Sequence, residues 1–423
     1  MSKKIVITGT GAVCGGGNDV AAILEGIRAG RSAIAPVTGW DTTGWTAING
    51  AEIRGFNPRT FVEDRKVHKF IRRTDMLGIF AGSQAIDAAG FAAAREKLDP
   101  QAAAAFSDAT GIYVGSGGGA YQNQYEYFPL LAQADGDLKT FGQELGSVVN
   151  PMWLLRTLPN NVLCHVGIKY NFKGANACIT NHSVGGTLAV IEAMEALRQG
   201  EAERVIAIGH DAPLEPQNFL YYYQCGLMTA NTLRPFDSAR DGSIFGEGAG
   251  AFALETGDGA QARGAPVMGE VLGGGYAAEA EGLLAIREDG NGVVRAIRAA
   301  LADAGLTPDD VGMIVAHANG TQQSDASEAA ALRTVFGDRA PPVTGFKWAI
   351  GHLIAAAGII EATLALAALR ARIVPGIANL QKLDPQCAGL PISRQAQVPR
   401  SDVALILCRG FAGTDAALLI RAA

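Results

Sequence analysis

One thiol and two imidazoles stand where apolar, strand-like runs give way to turns: Ala175-Asn176-Ala177-Cys178, Val315-Ala316-His317 and Lys347-Trp348-Ala349-Ile350-Gly351-His352. No metal-ligand spacing links them, so the set suits a nucleophile served by two proton-handling groups, the equipment for carbon–carbon bond formation on thioesters. The segment from Ser183 carries apolar residues at Val184, Leu188, Ile191, Met194 and Leu197 and stops at Gly200, which predicts a long buried helix just after Cys178. Free N–H groups and the positive dipole end of that helix would lower the thiol pKa and favour thiolate. A lone cysteine is more commonly a packed core residue. The two histidines, both after strand-like runs, make Cys178 a candidate nucleophile, because ligands in open α/β folds gather at the carboxyl ends of strands.

Positioning these groups falls to a chain of 423 residues, long enough for two domains or one large duplicated unit. Composition is globular and turn-rich, with 48% hydrophobic residues, 18% charged residues and 54 glycines. The net charge of -6 argues against a general affinity for nucleic acid. Strand patterns at 4–8, 111–115, 204–209, 312–316 and 403–408 alternate with helix patterns at 19–29, 76–89, 183–198, 292–304 and 353–369, the signature of an α/β fold. The apolar stretch 350–369 contains His352 and Glu361, so it reads as a buried helix rather than a membrane span. The apolar run after Met1-Ser2-Lys3-Lys4 is too short and glycine-rich for a signal peptide, and six scattered cysteines indicate neither zinc nor disulfides. A cytoplasmic protein is the expectation. The polar segment from Thr256 to Pro266 is the best internal boundary, giving units 1–256 and 257–423. Each closes with a Gly-rich turn and a final strand, around 246–255 and 410–420, so two similar halves are expected. Gly9-Thr10-Gly11-Ala12-Val13-Cys14-Gly15 and the glycines 115–119 follow strands but lack dinucleotide or phosphate-loop spacing, and read as backbone turns.

Several blocks together resemble the β-ketoacyl-acyl carrier protein synthases, in that family's order and spacing. They are Asn176-Ala177-Cys178; Ala316-His317 with Thr321 and Asp325; Lys347-(x4)-His352 continuing to Glu361; Arg234-Pro235-Phe236-Asp237 through Gly250; and Gly410-Phe411-Ala412-Gly413-Thr414. The resemblance implies a duplicated thiolase-like fold of five αβαβα layers, the nucleophile in the first half and the histidines in the second. It also implies a decarboxylative Claisen condensation, in which the cysteine takes an acyl chain and malonyl-acyl carrier protein loses carbon dioxide and attacks it, with no cofactor or metal. Cys178 would be the acylated nucleophile, its N–H and that of Phe411 the oxyanion hole. His317 and His352 would bind the malonyl carbonyl, Lys347 would orient His317 and set the local charge, and Glu361 would support the site. Phe411 resembles the gating aromatic, and Asn319 and Thr321 would face the pantetheine arm. Arg65, Lys66 and Lys69, in a run with five Lys/Arg residues, would meet the acidic carrier protein. The expected assembly is a homodimer, or a heterodimer with a related subunit.

Departures from the family pattern touch the site. Ile179-Thr180-Asn181-His182 replaces small residues after the nucleophile; Asn319 replaces a threonine, Ser243 and Arg409 replace phenylalanines, and Asp415 replaces an asparagine. These favour an unusual acyl chain, as in a specialised polyketide or polyene pathway, over ordinary fatty acid elongation. The non-enzymatic alternative is a chain-length-factor-like partner of an active ketosynthase, against which Cys178, both histidines and Lys347 count. A degradative thiolase would use a second cysteine, for which Cys408 is available, but two histidines fit the synthases better.

Overall fold

The computed structural model describes residues 3–118 and 127–423; Gly119, the end of the second glycine-rich run, lies outside them. Ten strands build the core: β1 (Ile5–Cys14), β2 (Thr110–Ser116), β3 (Asn176–Ile179), β4 (Arg204–Asp211), β5 (Gly248–Thr256), β6 (Gly269–Ala278), β7 (Met313–Val315), β8 (Val343–Thr344), β9 (Val403–Gly410) and β10 (Thr414–Ala422). Their order is β8-β7-β9-β10-β6-β1-β5-β4-β2-β3. Read outward from the centre, each five-strand half repeats one arrangement. Strands β3, β2 and β4 are parallel neighbours, with β5 and β1 added antiparallel. In the other half β8, β7 and β9 are parallel, with β10 and β6 antiparallel. Within the sheet, among the described residues, three strand pairs, Ile5–Val271, Val6–Glu270 and Ile7–Gly269, join the halves.

Six longer helices pack on or between these strands: α1 (Arg73–Ala89), α2 (Asn161–Tyr170), α3 (Gly185–Gln199), α4 (Asn291–Ala304), α5 (Gln322–Phe336) and α6 (Ala357–Arg370). Helices α3 and α6 form the middle layer, and nearly every residue of α6 is buried. That explains why 350–369 reads as almost uniformly apolar: a helix covered on all sides has no polar stripe. Outside, α1 covers β1, β5 and β4, while α4 covers β6 and β10. The result is the α/β, five-layered, duplicated fold expected from the sequence. Among the described residues no helix is long and apolar enough to cross a membrane.

The two central helices begin alike. A non-glycine residue at positive φ (His182, +42°; Ile354, +46°) opens a single 3-10 turn, His182–Val184 or Ile354–Ala356, which runs directly into α3 or α6. A left-handed conformation at a residue with a Cβ costs about 1–2 kcal/mol and survives only where the surroundings dictate it.

One local expectation needs correction. The run Gly9 to Cys14 is no turn: β1 continues through it to Cys14, and its glycines serve helix approach, since a Cβ on Gly9 or Gly11 would overlap the carbonyl oxygens of Ala85 and Ala81 in α1. The boundary segment after Thr256 carries a short helix. Thr256 accepts a hydrogen bond from the Gly259 N–H and caps a short helix, Gly257–Ala262. Buried and exposed glycines should respond oppositely to an added methyl group. Gly11→Ala should destabilise the protein by about 2–4 kcal/mol in chemical denaturation, because α1 must move away. Gly142→Ala, in an exposed helix with nothing within 4 Å of a new Cβ, should be neutral or stabilising by up to about 1 kcal/mol.

Candidate active site

Strand pleating decides where the expected nucleophile points. Side chains alternate along β3, and Cys178 lies in register with Val114 of β2, itself in register with Ile208 of β4. Val114 and Ile208 belong to the apolar cluster that contains Val162 and Val166 of α2, whereas Ala177 and Ile179 pack into the cluster of the central helices. Cys178 therefore faces the outer helices. Its S–H donates to the Pro159 carbonyl at 3.3 Å, and burial pushes its pKa up to about 11. The expectation of a helix-activated thiolate is overturned: the thiol is on the face of the sheet away from α3, and four residues still separate it from the helix mouth. Ser183, five residues on, occupies that mouth.

Ser183 is 1% exposed and lines a cavity together with His182, His317, His352, Asn319 and Phe411. Its hydroxyl lies 2.9 Å from His182 Nδ1 and 3.3 Å from His352 Nε2. The described cavity lining includes no cysteine. Cys408 sits behind Ser183, its S–H donating to the Ser183 carbonyl at 2.9 Å, and burial pushes its pKa up to about 12, so it is no second nucleophile.

Both expected histidines reach the cavity, and the backbone settles their tautomers. The Ile354 N–H donates to His352 Nδ1 and the Arg409 N–H donates to His317 Nδ1, each at 3.2 Å. A nitrogen that accepts cannot carry the proton, so each neutral ring holds its proton on Nε2. The ring centroids are 5.1 Å apart and nearly perpendicular. Burial first, and the Lys347 charge second, hold both imidazoles well below the usual histidine pKa. They are neutral donors at physiological pH.

Lys347 is fully buried, and its ammonium donates to Glu361 Oε1 at 2.7 Å. Burial pushes the Glu361 carboxyl up to about 7 despite that partner. Lys347 thus acts on the histidines by charge; the orientation of His317 comes from Arg409 N–H and from Glu328, whose carboxylate accepts the N–H groups of His317 (2.6 Å) and Ala318 (3.0 Å). Glu328 was not singled out from sequence, although an acid eleven residues after a strand-end histidine is the available signal. The departures at 409 and 415 compensate each other: Arg409 Nε donates to Asp415 Oδ1 at 2.8 Å, and Arg409 Nη2 lies 3.2 Å from Glu279, all buried. Asn319 and Thr321 both line the cavity, with Thr321 Oγ1 donating to Asn319 Oδ1 at 2.9 Å. Phe411 stacks on the His182 ring, centroids 4.4 Å apart. Gly410, before Phe411, backs onto the Ser183 amide, where an added Cβ would come within 3.5 Å.

Arg65, Lys66 and Lys69 are exposed and lie apart from the cavity lining. The other two basic residues of that run are committed inside, Arg72 beside Asp75 and Arg73 to Glu247. A second cavity, lined by Arg72, Asp211, Glu215 and Asn218, shares His182, Tyr222 and Ile354 with the first. Tyr222 and the roles of His182 and Ser183 were not foreseen.

Residues 2–260 match the family model described as the beta-ketoacyl synthase N-terminal domain, and residues 268–381 match the C-terminal domain. Over its whole length the chain is 32% identical to Nodulation protein E of Rhizobium meliloti (strain 1021), covering all of that protein. It is 30% identical to 3-oxoacyl-[acyl-carrier-protein] synthase 2 of Staphylococcus aureus (strain COL), covering 100% of this chain and 99% of that one. Among solved structures, the ishigamide ketosynthase/chain length factor superposes with a TM-score of 0.87 at 27% identity, with both chains fully covered.

The buried Arg409 cluster makes a stability prediction. Arg409→Met should cost about 3–5 kcal/mol, because it leaves Asp415 and Glu279 buried without their cation. Adding Asp415→Asn should recover part of the loss, giving a coupling of about 1–3 kcal/mol in a double-mutant cycle. Denaturation at pH 8 is the appropriate measurement, since burial raises the Asp415 pKa to about 6 and the carboxylate is ionised above that.

Proposed function

Because the chain belongs to the β-ketoacyl synthase family, acyl-transferring condensing enzymes of fatty acid and polyketide synthesis, we propose that its decarboxylative condensation runs with Ser183 at the acyl-accepting position. One observation carries this reading: two imidazoles, each with Nδ1 occupied by a backbone N–H and so protonated on Nε2, line the cavity with Ser183, and His352 Nε2 lies 3.3 Å from the Ser183 hydroxyl. Neutral Nε2–H donors suit a malonyl thioester carbonyl, because they strengthen as negative charge develops while carboxylate leaves as carbon dioxide. A charged imidazolium would hold the departing carboxylate instead.

In this reading the N–H groups of Ser183 and Phe411 receive the oxyanion of the acyl-transfer step. Lys347 and Glu361 set the field beneath the histidines, and Asn319 with Thr321 contacts the pantetheine arm. Arg65, Lys66 and Lys69 are the carrier-protein docking residues, a role their exposure and charge support. The partner is an acyl carrier protein, as the name of the staphylococcal relative says of that protein. The charged second cavity beyond Ile354 favours a short or polar acyl group over a long saturated one. We place the boundary of the two halves at Thr256, where β5 ends, and keep the cytoplasmic location expected from the sequence.

A second reading is favoured by the hydroxyl itself. Serine is a far weaker nucleophile than a thiolate, and the solved structure of a ketosynthase/chain length factor is among those this chain resembles. The chain would then pair with a related subunit that carries the acyl group on its own thiol. Exposed apolar side chains at Leu138, Trp153, Leu154 and Leu155, and the placement of β3 at the sheet edge, support pairing with another chain, alike or related.

Acyl-carrier proteins of several chain types, incubated with the purified protein, separate the readings by intact mass and peptide mapping. An ester on Ser183, abolished in Ser183→Ala and retained in Cys178→Ala, is the expected result. An unmodified Ser183, with condensation only after a second ketosynthase chain is added, would establish the partner reading. Release of carbon dioxide from malonyl-carrier protein should fall about 10²–10³-fold in His317→Ala or His352→Ala. In the unsubstituted protein it should stay flat from pH 8 to below 6.5, because a depressed imidazole pKa keeps the neutral donor populated at lower pH. An acid limb centred at 6.5 would contradict that assignment.

A further inference from the structure

We propose that His182 is the base that activates Ser183, with Tyr222 orienting it, so that the chain holds its acyl group as an oxyester. The inference rests on the condensation reading above. Among the described residues the Ser183 hydroxyl has two partners, the rings of His352 and His182. His352 has its proton on Nε2, fixed by the Ile354 N–H at Nδ1, so it donates to Ser183 Oγ and cannot take the serine proton. His182 Nδ1, 2.9 Å away, is then the acceptor. That role requires the His182 proton on Nε2, and Tyr222 Oη lies 3.0 Å from that nitrogen. The order of donation is His352 to Ser183, Ser183 to His182, His182 to Tyr222.

The ring is also held in place. Phe411 stacks on one face at 4.4 Å and 22°, and His182 takes φ +42°, the left-handed value that turns the chain into the 3-10 turn carrying Ser183. The equivalent residue in the second half, Ile354, shares the backbone conformation but has no basic group. The histidine at 182 is therefore not demanded by the turn. Burial lowers its pKa to about 4, so Nδ1 is unprotonated and available at neutral pH, though weakly basic.

In the acylation step Ser183 Oγ bonds to the thioester carbonyl carbon as its proton passes to His182 Nδ1. The carbon–sulfur bond then breaks, and the departing pantetheine sulfur takes that proton from His182. In condensation the carbanion left by malonyl decarboxylation attacks the ester carbonyl, and the carbon–oxygen bond to Ser183 breaks. One proton from solvent, relayed by His182, restores the hydroxyl. No oxidant or reductant is needed.

The test follows ester formation on Ser183 by time-resolved intact mass with an acyl-carrier protein that labels the unsubstituted chain. His182→Ala should slow labelling by about 10²–10⁴-fold, the usual contribution of a general base, and free imidazole should restore part of the rate. Tyr222→Phe should slow it by roughly tenfold and shift its pH profile, which loss of packing alone would not do. In a Ser183→Cys background the His182→Ala penalty should shrink to about threefold, because a thiol ionises without that base. Labelling of His182→Ala at the unsubstituted rate, or a penalty undiminished in the Ser183→Cys background with no imidazole rescue, would overturn the base role while leaving the condensation reading intact. If the unsubstituted protein forms no ester on Ser183 with any acyl group, yet releases carbon dioxide from malonyl-carrier protein, the acyl-holding reading fails and this inference with it.

Discussion

Two backbone N–H groups, those of Ile354 and Arg409, determine what the site can do. Each donates to the Nδ1 of a buried histidine, and each thereby places a proton on the Nε2 of a ring that lines the cavity. Neither amide is a reactive group, and Ile354 would not be recognised as functional from its side chain. Their positions are set by the surrounding structure. Ile354 is held at φ +46° where the chain enters the helix Ala357–Arg370, and Arg409 lies one residue before the end of a buried strand with its guanidinium tied to Asp415 and Glu279. Positive φ recurs at His182, Ala318 and Ala412, so each of Ser183, His317, His352 and Phe411 has a strained non-glycine residue within two positions. Strain of this kind is retained where the fold around it dictates a geometry.

Charge is arranged to the same end. Burial alone would keep the imidazoles neutral, and the Lys347 ammonium pushes both further in that direction. An unpaired ammonium in the core would be intolerable, so Glu361 accompanies it; the carboxyls of Glu328, Asp325 and Asp415 are raised by burial to near neutrality. The site is thus surrounded by groups poised near their titration points, while the two rings at its centre are far from theirs. That separation lets the donors stay constant while the network around them absorbs changes in pH.

Element types were legible in the sequence because they follow from periodicity, and the converging second-half residues because their motifs resemble those of the β-ketoacyl synthases. The helix patterns near 183–198 and 353–369 end within a residue of the observed helices, and His317, His352, Lys347, Glu361 and Phe411 do meet. What could not be read was direction. A four-residue strand shows no clear alternation, so nothing in Asn176-Ala177-Cys178-Ile179 says which face the thiol takes; the register with Val114 and Ile208 decides it. The same limit hid Gly9 and Gly11, whose function is contact with a helix distant in sequence. His182 was visible as a departure, but its relation to Ser183 and Tyr222 depends on a left-handed turn that only a folded chain defines.

Duplication offers a reason for the division of labour. The same strained turn opens each central helix, and the twofold repeat brings both mouths to one cavity. With the turn shared, side chains separate their chemistry. One mouth carries the basic ring of His182 on its left-handed residue and the attacking hydroxyl next to it. The other carries aliphatic Ile354 there and spends its amide on His352, the donor two residues earlier. A donor cannot serve as the base for the hydroxyl it donates to, so a serine at the first mouth needs a separate acceptor on its other side. The residue before the serine is the nearest place to put one, and it must be turned back toward the hydroxyl, which the left-handed conformation at 182 accomplishes.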